Sequence, residues 1–80
     1  MIEVTTKVYA KDNHCLLRTE TKFYERTTIQ RQIDIMSNAI KVMNDNISVL
    51  HQSDYSAIIL DESEDFIQYI TLSKLELEVE

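Results

Sequence analysis

The stretch TTIQRQIDIMSNAIKVMNDNISVL, residues 27–50, decides the fold of this chain. Thr27 and Gln30 are spaced as in a capping box. In that motif the threonine hydroxyl accepts a hydrogen bond from the third helical amide, and the glutamine side chain bonds back to the threonine amide. From Ile29 onward, apolar residues recur at alternating intervals of 4 and 3 residues, which is the period of one helix face. A long amphipathic helix is therefore predicted, beginning after Thr27 and ending near residues 50–52. Its apolar stripe comprises Ile29, Ile33, Met36, Ile40, Met43, Ile47 and Leu50.

A second apolar row lies on the same predicted helix. Ile35, Val42 and Val49 recur every seven residues, about 120 to 160° around the helix from the main stripe. Either the helix sinks deeply into the core and this row widens its contact, or the row meets a second copy of the protein. The second alternative predicts a homodimeric structural or adaptor protein with these three residues in its interface.

Strands are predicted on both sides of the helix. Residues 2–10 alternate between two faces, residues 11–14 are rich in turn formers, and residues 15–24 resume the alternation. A β-hairpin therefore precedes the helix. After the helix, the apolar run 55–60 predicts a buried strand, and residues 66–72 begin another.

The last predicted strand changes phase along its length. Its apolar residues fall first on even positions and then on odd ones, so a bulge or break is expected near Ser73-Lys74. The order is then ββαββ, with the last strand long and bent or split in two. We predict a single α+β domain over residues 1–80, in which the helix covers one face of an antiparallel sheet. The residues that show the phase change are Phe66, Ile70, Leu72, Leu75, Leu77 and Val79.

The composition excludes several classes of function. The chain has no glycine and no proline, and a loop that cradles phosphate needs glycine for close approach of its backbone, so nucleotide sites of that kind are not expected. One cysteine, Cys15, cannot form an internal disulfide, and the chain start lacks the pattern of a secretion signal. A cytoplasmic protein without a cofactor is therefore predicted.

The charge is strongly asymmetric along the chain. Residues 1–50 carry seven Lys/Arg against six Asp/Glu, whereas residues 51–80 carry one Lys against eight acids, giving +1 and −7. An asymmetric charge distribution of this kind bears on how the protein associates with other molecules, not on its fold. Two acidic groups contribute most of it, a turn and an alternating terminal strand whose carboxylates would repeat about every 6.8 Å. They are Asp61, Glu62, Glu64 and Asp65 in the turn, and Glu76, Glu78 and Glu80 in the strand.

Two interpretations of the acidic residues follow. They are a solvated face that protects a sheet edge from aggregation, or they imitate the phosphate row of a nucleic acid and bind a basic protein surface. Direct binding of nucleic acid is disfavoured because the net charge of −6 repels phosphate. The basic residues Arg18, Lys22, Arg26 and Arg31 have acids nearby and are interpreted as a polar face.

Catalytic and metal sites receive little support from the sequence. Cys15 is the only candidate nucleophile of a Cys–His pair, and His14 and His51 are the candidate bases. No third group that would orient the base is evident. The acidic turn lacks the ligand spacing and the glycine of a calcium loop. We therefore predict a protein that is not an enzyme and has no metal site.

The segment Ile70-Thr71-Leu72-Ser73-Lys74-Leu75-Glu76-Leu77 is similar to the apolar-Thr-Leu-Lys-Ser-Glu-Leu endings of some Cas9 inhibitors, with the Lys-Ser order reversed. The small, acidic, cysteine-poor chain also resembles phage-encoded anti-CRISPR proteins. The segment covers eight of 80 residues. The resemblance implies a cytoplasmic inhibitor in the host bacterial cell, which occludes the DNA-binding surface of a Cas nuclease and performs no chemistry.

Overall fold

The computed structural model describes residues 1–42 and 46–75 and contains one helix and a five-stranded antiparallel sheet in that part of the chain. The predicted α+β class is confirmed, with three strands after the helix. The elements are β1 (Ile2–Ala10), β2 (Leu16–Tyr24), α1 (Ile29–Lys41), β3 (Ile47–Leu50), β4 (Ser56–Glu62) and β5 (Phe66–Lys74).

The strands lie in the order β2-β1-β5-β4-β3, and every neighbouring pair is antiparallel. The N-terminal hairpin supplies one edge, and the β3-β4-β5 meander supplies the other. Helix α1 connects β2 at one edge to β3 at the opposite edge, so the chain crosses one face of the sheet between them. Within residues 1–42 and 46–75, no strand pairs with the outer side of β2 or of β3.

The core lies between α1 and the face of the sheet that the helix crosses. Strand alternation places every second residue of each central strand on this face, where it packs against the first two turns of α1. No helix among the described residues is long and apolar enough to cross a membrane. The buried apolar residues are Ile2, Val4, Ile29, Ile33, Ala57, Ile59, Ile70 and Leu72, with Tyr24, Met36 and Ile40 packed beside them.

The helix is shorter than its apolar period predicts. It ends at Lys41, and Ile47–Leu50 form β3, which pairs with β4 through Val49 opposite Ile59. The predicted helix end near residues 50–52 is therefore wrong. Ile47 and Val49 lie two residues apart and satisfy a strand's alternation, and pairing with β4 provides backbone hydrogen bonds that a longer helix would forgo.

Because α1 ends at Lys41, the second apolar row is divided between the helix and a strand. Ile35 and Val42 lie on or directly after α1 and are 51% and 85% exposed, whereas Val49 belongs to a strand. The prediction of one continuous helical row through Ile35, Val42 and Val49 is wrong. Its core-widening alternative is also wrong for Val42, since that side chain is almost fully solvated.

The start of α1 is shifted by one residue from the predicted cap. Thr28 is the N-cap, and its hydroxyl accepts from the Arg31 amide at 3.1 Å. Thr27 instead accepts from the buried Gln32 side chain at 3.0 Å. The two adjacent threonines thus satisfy two different donors, one of the backbone and one of the core.

No bulge occurs near Ser73-Lys74. The register of β5 on β1 is regular from Phe66 to Lys74, and the Leu75 amide continues it by donating to the Met1 carbonyl at 2.9 Å. The described residues thus show a regular strand that ends at Lys74, and the predicted change of phase beyond it is not tested by them. Leu77 and Val79 lie outside the described residues, and so do the acids Glu76, Glu78 and Glu80.

Candidate functional site

The four acids of the predicted turn do not form one surface. Asp61 and Glu62 are the last residues of β4, where successive side chains point to opposite faces of the sheet. Asp61 lies on the helix side and Glu62 on the open side. Glu64 and Asp65 are exposed in the turn between β4 and β5.

Lys11 connects this turn to the turn of the N-terminal hairpin. Its ammonium lies 2.7 Å from a Glu62 carboxylate oxygen and 3.3 Å from the Ser63 carbonyl oxygen. Its amide donates to the Asp65 carbonyl at 2.9 Å. The Lys11 ammonium therefore offsets the charge of Glu62. The excess negative charge at this end of the sheet falls mainly on Glu64 and Asp65.

The acidic turn lies at one end of β5, and the described chain leaves the strand at the other end, after Lys74. Nine strand residues at about 3.3 Å each separate the two ends by roughly 30 Å. The terminal acids Glu76, Glu78 and Glu80 lie outside the described residues, so their interpretation stays a prediction.

The structure places Cys15 and His51 at opposite ends of the sheet, so of the two candidate bases only the neighbouring His14 is close to Cys15. Cys15 lies beside the hairpin turn, at the end of the sheet where Ala10 pairs with Phe66. His51 follows β3 at the other end, past the pairing of Leu50 with Ile58. Within the described residues, no group of three His, Cys, Asp or Glu side chains is placed to hold a metal ion.

The open face of the sheet, opposite α1, carries an apolar patch at its centre. The rings of Tyr9 and Tyr69 pack edge to face with centroids 5.8 Å apart. Ile58 and Ile67 flank them and are half-buried. These four residues, called the open-face patch below, line a shallow hollow of about 470 Å³ together with Lys7, His14 and Thr71.

The patch adjoins the acidic turn through strand pairing. Ile67 lies opposite Tyr9 on one side and opposite Glu62 on the other. An apolar centre with a charged margin is the usual anatomy of a protein interface. Glu62 therefore borders the open-face patch, and the exposed Glu64 and Asp65 follow it in the turn; these three acids are called the acidic margin below.

Sequence reasoning missed the open-face patch, although a signal was present. The runs 57–60 and 66–70 carry apolar residues on both strand parities, which means that both faces of β4 and β5 are apolar. We interpreted the first run only as a buried strand. The helix covers one of these faces, and no described element covers the other.

A larger cleft lies between the start of α1 and the loop after β3. It has a volume of about 570 Å³ and a mostly polar lining. Its side chains are engaged with one another, since Gln52 donates to Gln30 and the Lys74 ammonium lies 5.7 Å from the centroid of the Tyr55 ring. The open-face patch is therefore the better candidate for a binding surface.

A carboxylate separates two of the basic residues that were interpreted as a polar face. On β2, Glu20 lies between Arg18 at 3.1 Å and Lys22 at 3.7 Å. The hydrogen bond from Arg18, with the charges of Lys22 and Arg18, lowers the pKa of Glu20 below its ordinary value. This row, Arg18-Glu20-Lys22, is a neutralised strand surface rather than a cationic one.

The pKa of Glu20 gives a testable pH dependence. Because its folded pKa lies below its unfolded pKa, its stabilising effect is complete above the unfolded value and is lost as pH falls through the folded value. In an NMR titration of the side-chain carboxyl, we expect the Glu20 midpoint below that of glutamate in an unstructured reference peptide. Arg18→Gln should raise the Glu20 midpoint, and 1 M salt should raise it in the wild type. A Glu20 midpoint equal to that of the reference peptide would contradict the assignment.

No protein-family model, curated protein or solved structure matches this chain. Function must therefore be argued from the surface itself.

Proposed function

We propose that this protein is a non-catalytic interaction module that binds a basic protein surface through the open-face patch and its acidic margin. The observation that carries the proposal is the adjacency of the two, with Tyr9 and Tyr69 at the centre and Glu62 joined to them across β5. Aromatic residues at the centre of a patch are frequent energetic anchors of interfaces. The surrounding charge selects the sign of the partner and accelerates encounter.

The partner's chemistry follows from the net charge of −6 and the pI of about 4.8. A protein of this charge is attracted over several ångströms to cationic clefts, and clefts that hold nucleic acid are the most strongly cationic surfaces of many cells. We therefore propose an inhibitor encoded by a mobile element such as a phage, which occludes the nucleic-acid-binding surface of a nuclease. A Cas nuclease is the first candidate, on the resemblance of residues 70–77.

The test measures binding of labelled duplex DNA to a panel of guide-loaded Cas nucleases, by fluorescence anisotropy with increasing inhibitor. Wild-type protein should inhibit at least one of them, and Tyr69→Ala should weaken inhibition at least about tenfold, as expected for an interface anchor. Inhibition should weaken as salt rises from 0.1 to 1 M, because screening shortens the Debye length from about 10 to about 3 Å.

Charge position is tested at constant net charge. Glu64→Lys with Asp65→Lys adds four charges and changes the net from −6 to −2, and Glu25→Lys with Asp34→Lys does the same at exposed positions away from the open face. Only the first pair should weaken inhibition. Reversal of Glu76, Glu78 and Glu80, which makes the net charge 0, tests the terminal acids separately. Equal potency of the two double variants, or no inhibition of any nuclease, would refute the proposal.

A further inference from the structure

The outer edge of β2 is long, and its register on β1 is regular from Arg18 to Tyr24, with a shift beside Leu17. β2 has nine residues, whereas β3 at the opposite edge has four. An exposed edge of this length presents a row of unpaired backbone groups on which another strand can assemble. The apolar side chains Leu17 and Phe23 on this strand are 53% and 55% exposed.

The direction of the β2 backbone groups follows from two hydrogen bonds of the neighbouring strand. The Lys11 amide donates to the Asp65 carbonyl, and the Ala10 amide donates to the Cys15 carbonyl, both at 2.9 Å. In an antiparallel strand, the backbone groups of every second residue form hydrogen bonds with the same neighbouring strand. Odd residues of β1 therefore bond to β5, and even residues bond to β2.

The register transfers this alternation to β2. Val4 lies opposite Lys22 and Thr6 opposite Glu20, so the even residues of β2 bond to β1. The odd residues direct their amides and carbonyls to the free side, where no described element pairs with them. Within the regular register, the outward-directed residues are Thr19, Thr21 and Phe23.

The charge row of β2 restricts how a second copy can pair with this edge. Full overlap of two antiparallel β2 strands would put Glu20 opposite Glu20 and Arg18 opposite Lys22, and directly opposed like charges are destabilising. A symmetric shift that puts Thr21 opposite Thr21 instead places Glu20 opposite Lys22 twice. It also places Arg18 opposite Tyr24, and Phe23 opposite Thr19.

The other charge-compatible register puts Thr19 opposite Thr19 and pairs Arg18 with Glu20. In that register the paired strands span residues 16–22, so Phe23 lies beyond them. The Thr21 register spans residues 18–24 and brings the exposed Phe23 ring into the paired segment. The Thr21 register uses only residues 18–24, the part of β2 with a regular register on β1, whereas the Thr19 register includes the register shift beside Leu17. A regular strand pairs better than a bulged one, so the Thr21 register is favoured.

We propose that two copies of this chain pair along β2 in antiparallel orientation, about a two-fold axis at Thr21, and join their five-stranded sheets into one. A two-fold interface uses the same surface twice, and the Arg18-Glu20-Lys22 row is complementary to itself only under such a shift. The inference is independent of the proposed partner surface, since β2 is an edge and the open-face patch is central.

The decisive experiment exchanges charge between copies. In the Thr21 register, residue 20 of one copy faces residue 22 of the other. Glu20→Lys alone therefore places lysine opposite lysine, and Lys22→Glu alone places glutamate opposite glutamate. Each variant should weaken self-association about tenfold or more. Mixed in equal amounts, the two variants should recover a dimer, because a lysine of one copy then faces a glutamate of the other at both sites. Sedimentation equilibrium in 50 mM salt should give a mass near twice 9.4 kDa for the wild type and for the mixture.

Cross-linking fixes the register. In a Cys15→Ser background, Thr21→Cys should form an intermolecular disulfide on mild oxidation, because directly opposed residues of a bonded pair have Cα atoms about 5.5 Å apart. Thr19→Cys is the matched control and should cross-link much more slowly. A wild type that remains monomeric at 1 mM, a mixture that does not recover the dimer, or preferential cross-linking at Thr19 would overturn the proposal. Unchanged circular dichroism of each variant excludes unfolding as the cause.

Discussion

Replacement of Ile59 by alanine is expected to lower the free energy of unfolding by about 3 to 4 kcal/mol, within the range for large-to-small changes at buried aliphatic positions. Ile59 has no exposed surface and lies on β4 between Ile70 of β5 and Val49 of β3. A domain of 80 residues has a total stability of only about 5 to 10 kcal/mol. Urea denaturation followed by circular dichroism should therefore show a midpoint reduced by roughly half.

Ile58 provides the matched control for this experiment. It is the same residue type on the same strand, but its side chain is half-buried on the open face. We expect Ile58→Ala to cost about 1 kcal/mol of folding stability, since fewer methylene groups leave a packed environment. It should weaken inhibition of the nuclease, because Ile58 belongs to the open-face patch. Equal destabilisation by the two variants would contradict the assignment of the core to the helix side.

Local patterns were sufficient to predict several elements. The hairpin of β1 and β2 follows from strict alternation and a turn cluster at residues 11–14, and both signals are contained within the strands themselves. The start of α1 was predicted to within one residue because threonine capping is a local interaction. Two candidate caps stand next to each other, and only the tertiary contact between Thr27 and buried Gln32 decides which threonine caps the helix.

The candidate surface was less predictable because it depends on pairing across the sheet. Strand order brings Tyr9 and Tyr69 together from residues sixty positions apart, and no local pattern contains that information. The acids Asp61, Glu62, Glu64 and Asp65 are a group in sequence, but the first two belong to β4 and only the last two to the turn. The division of this group between two faces at Asp61 and Glu62 depends on how far β4 extends, which sequence determines only approximately. The Ile35, Val42 and Val49 row failed for a related reason, since heptad spacing does not exclude a strand.

Proline substitutions in β3 should distinguish the observed strand from a continued helix. The Glu62 amide donates to the Asn46 carbonyl at 3.1 Å. The backbone amides and carbonyls of even residues in β3 are therefore directed to β4, and those of odd residues are directed away from it. Ser48→Pro removes an amide that donates to Leu60, and its ring is directed at the neighbouring strand. We expect a loss of about 3 kcal/mol in the free energy of unfolding, because proline is excluded from paired positions.

Val49→Pro is the matched control, one residue away. Its amide points away from β4, and edge strands tolerate proline on that side. A loss of about 1 kcal/mol is expected, mostly from the partly buried Val49 side chain, which is 37% exposed. In a helix through residue 50, both prolines would fall in the last two turns and would each remove a backbone bond. Thermal or urea unfolding that shows equal losses for Ser48→Pro and Val49→Pro would therefore contradict β3. A large loss for Ser48→Pro alone is the result that strand pairing requires, because only the alternation of a strand makes adjacent amides inequivalent.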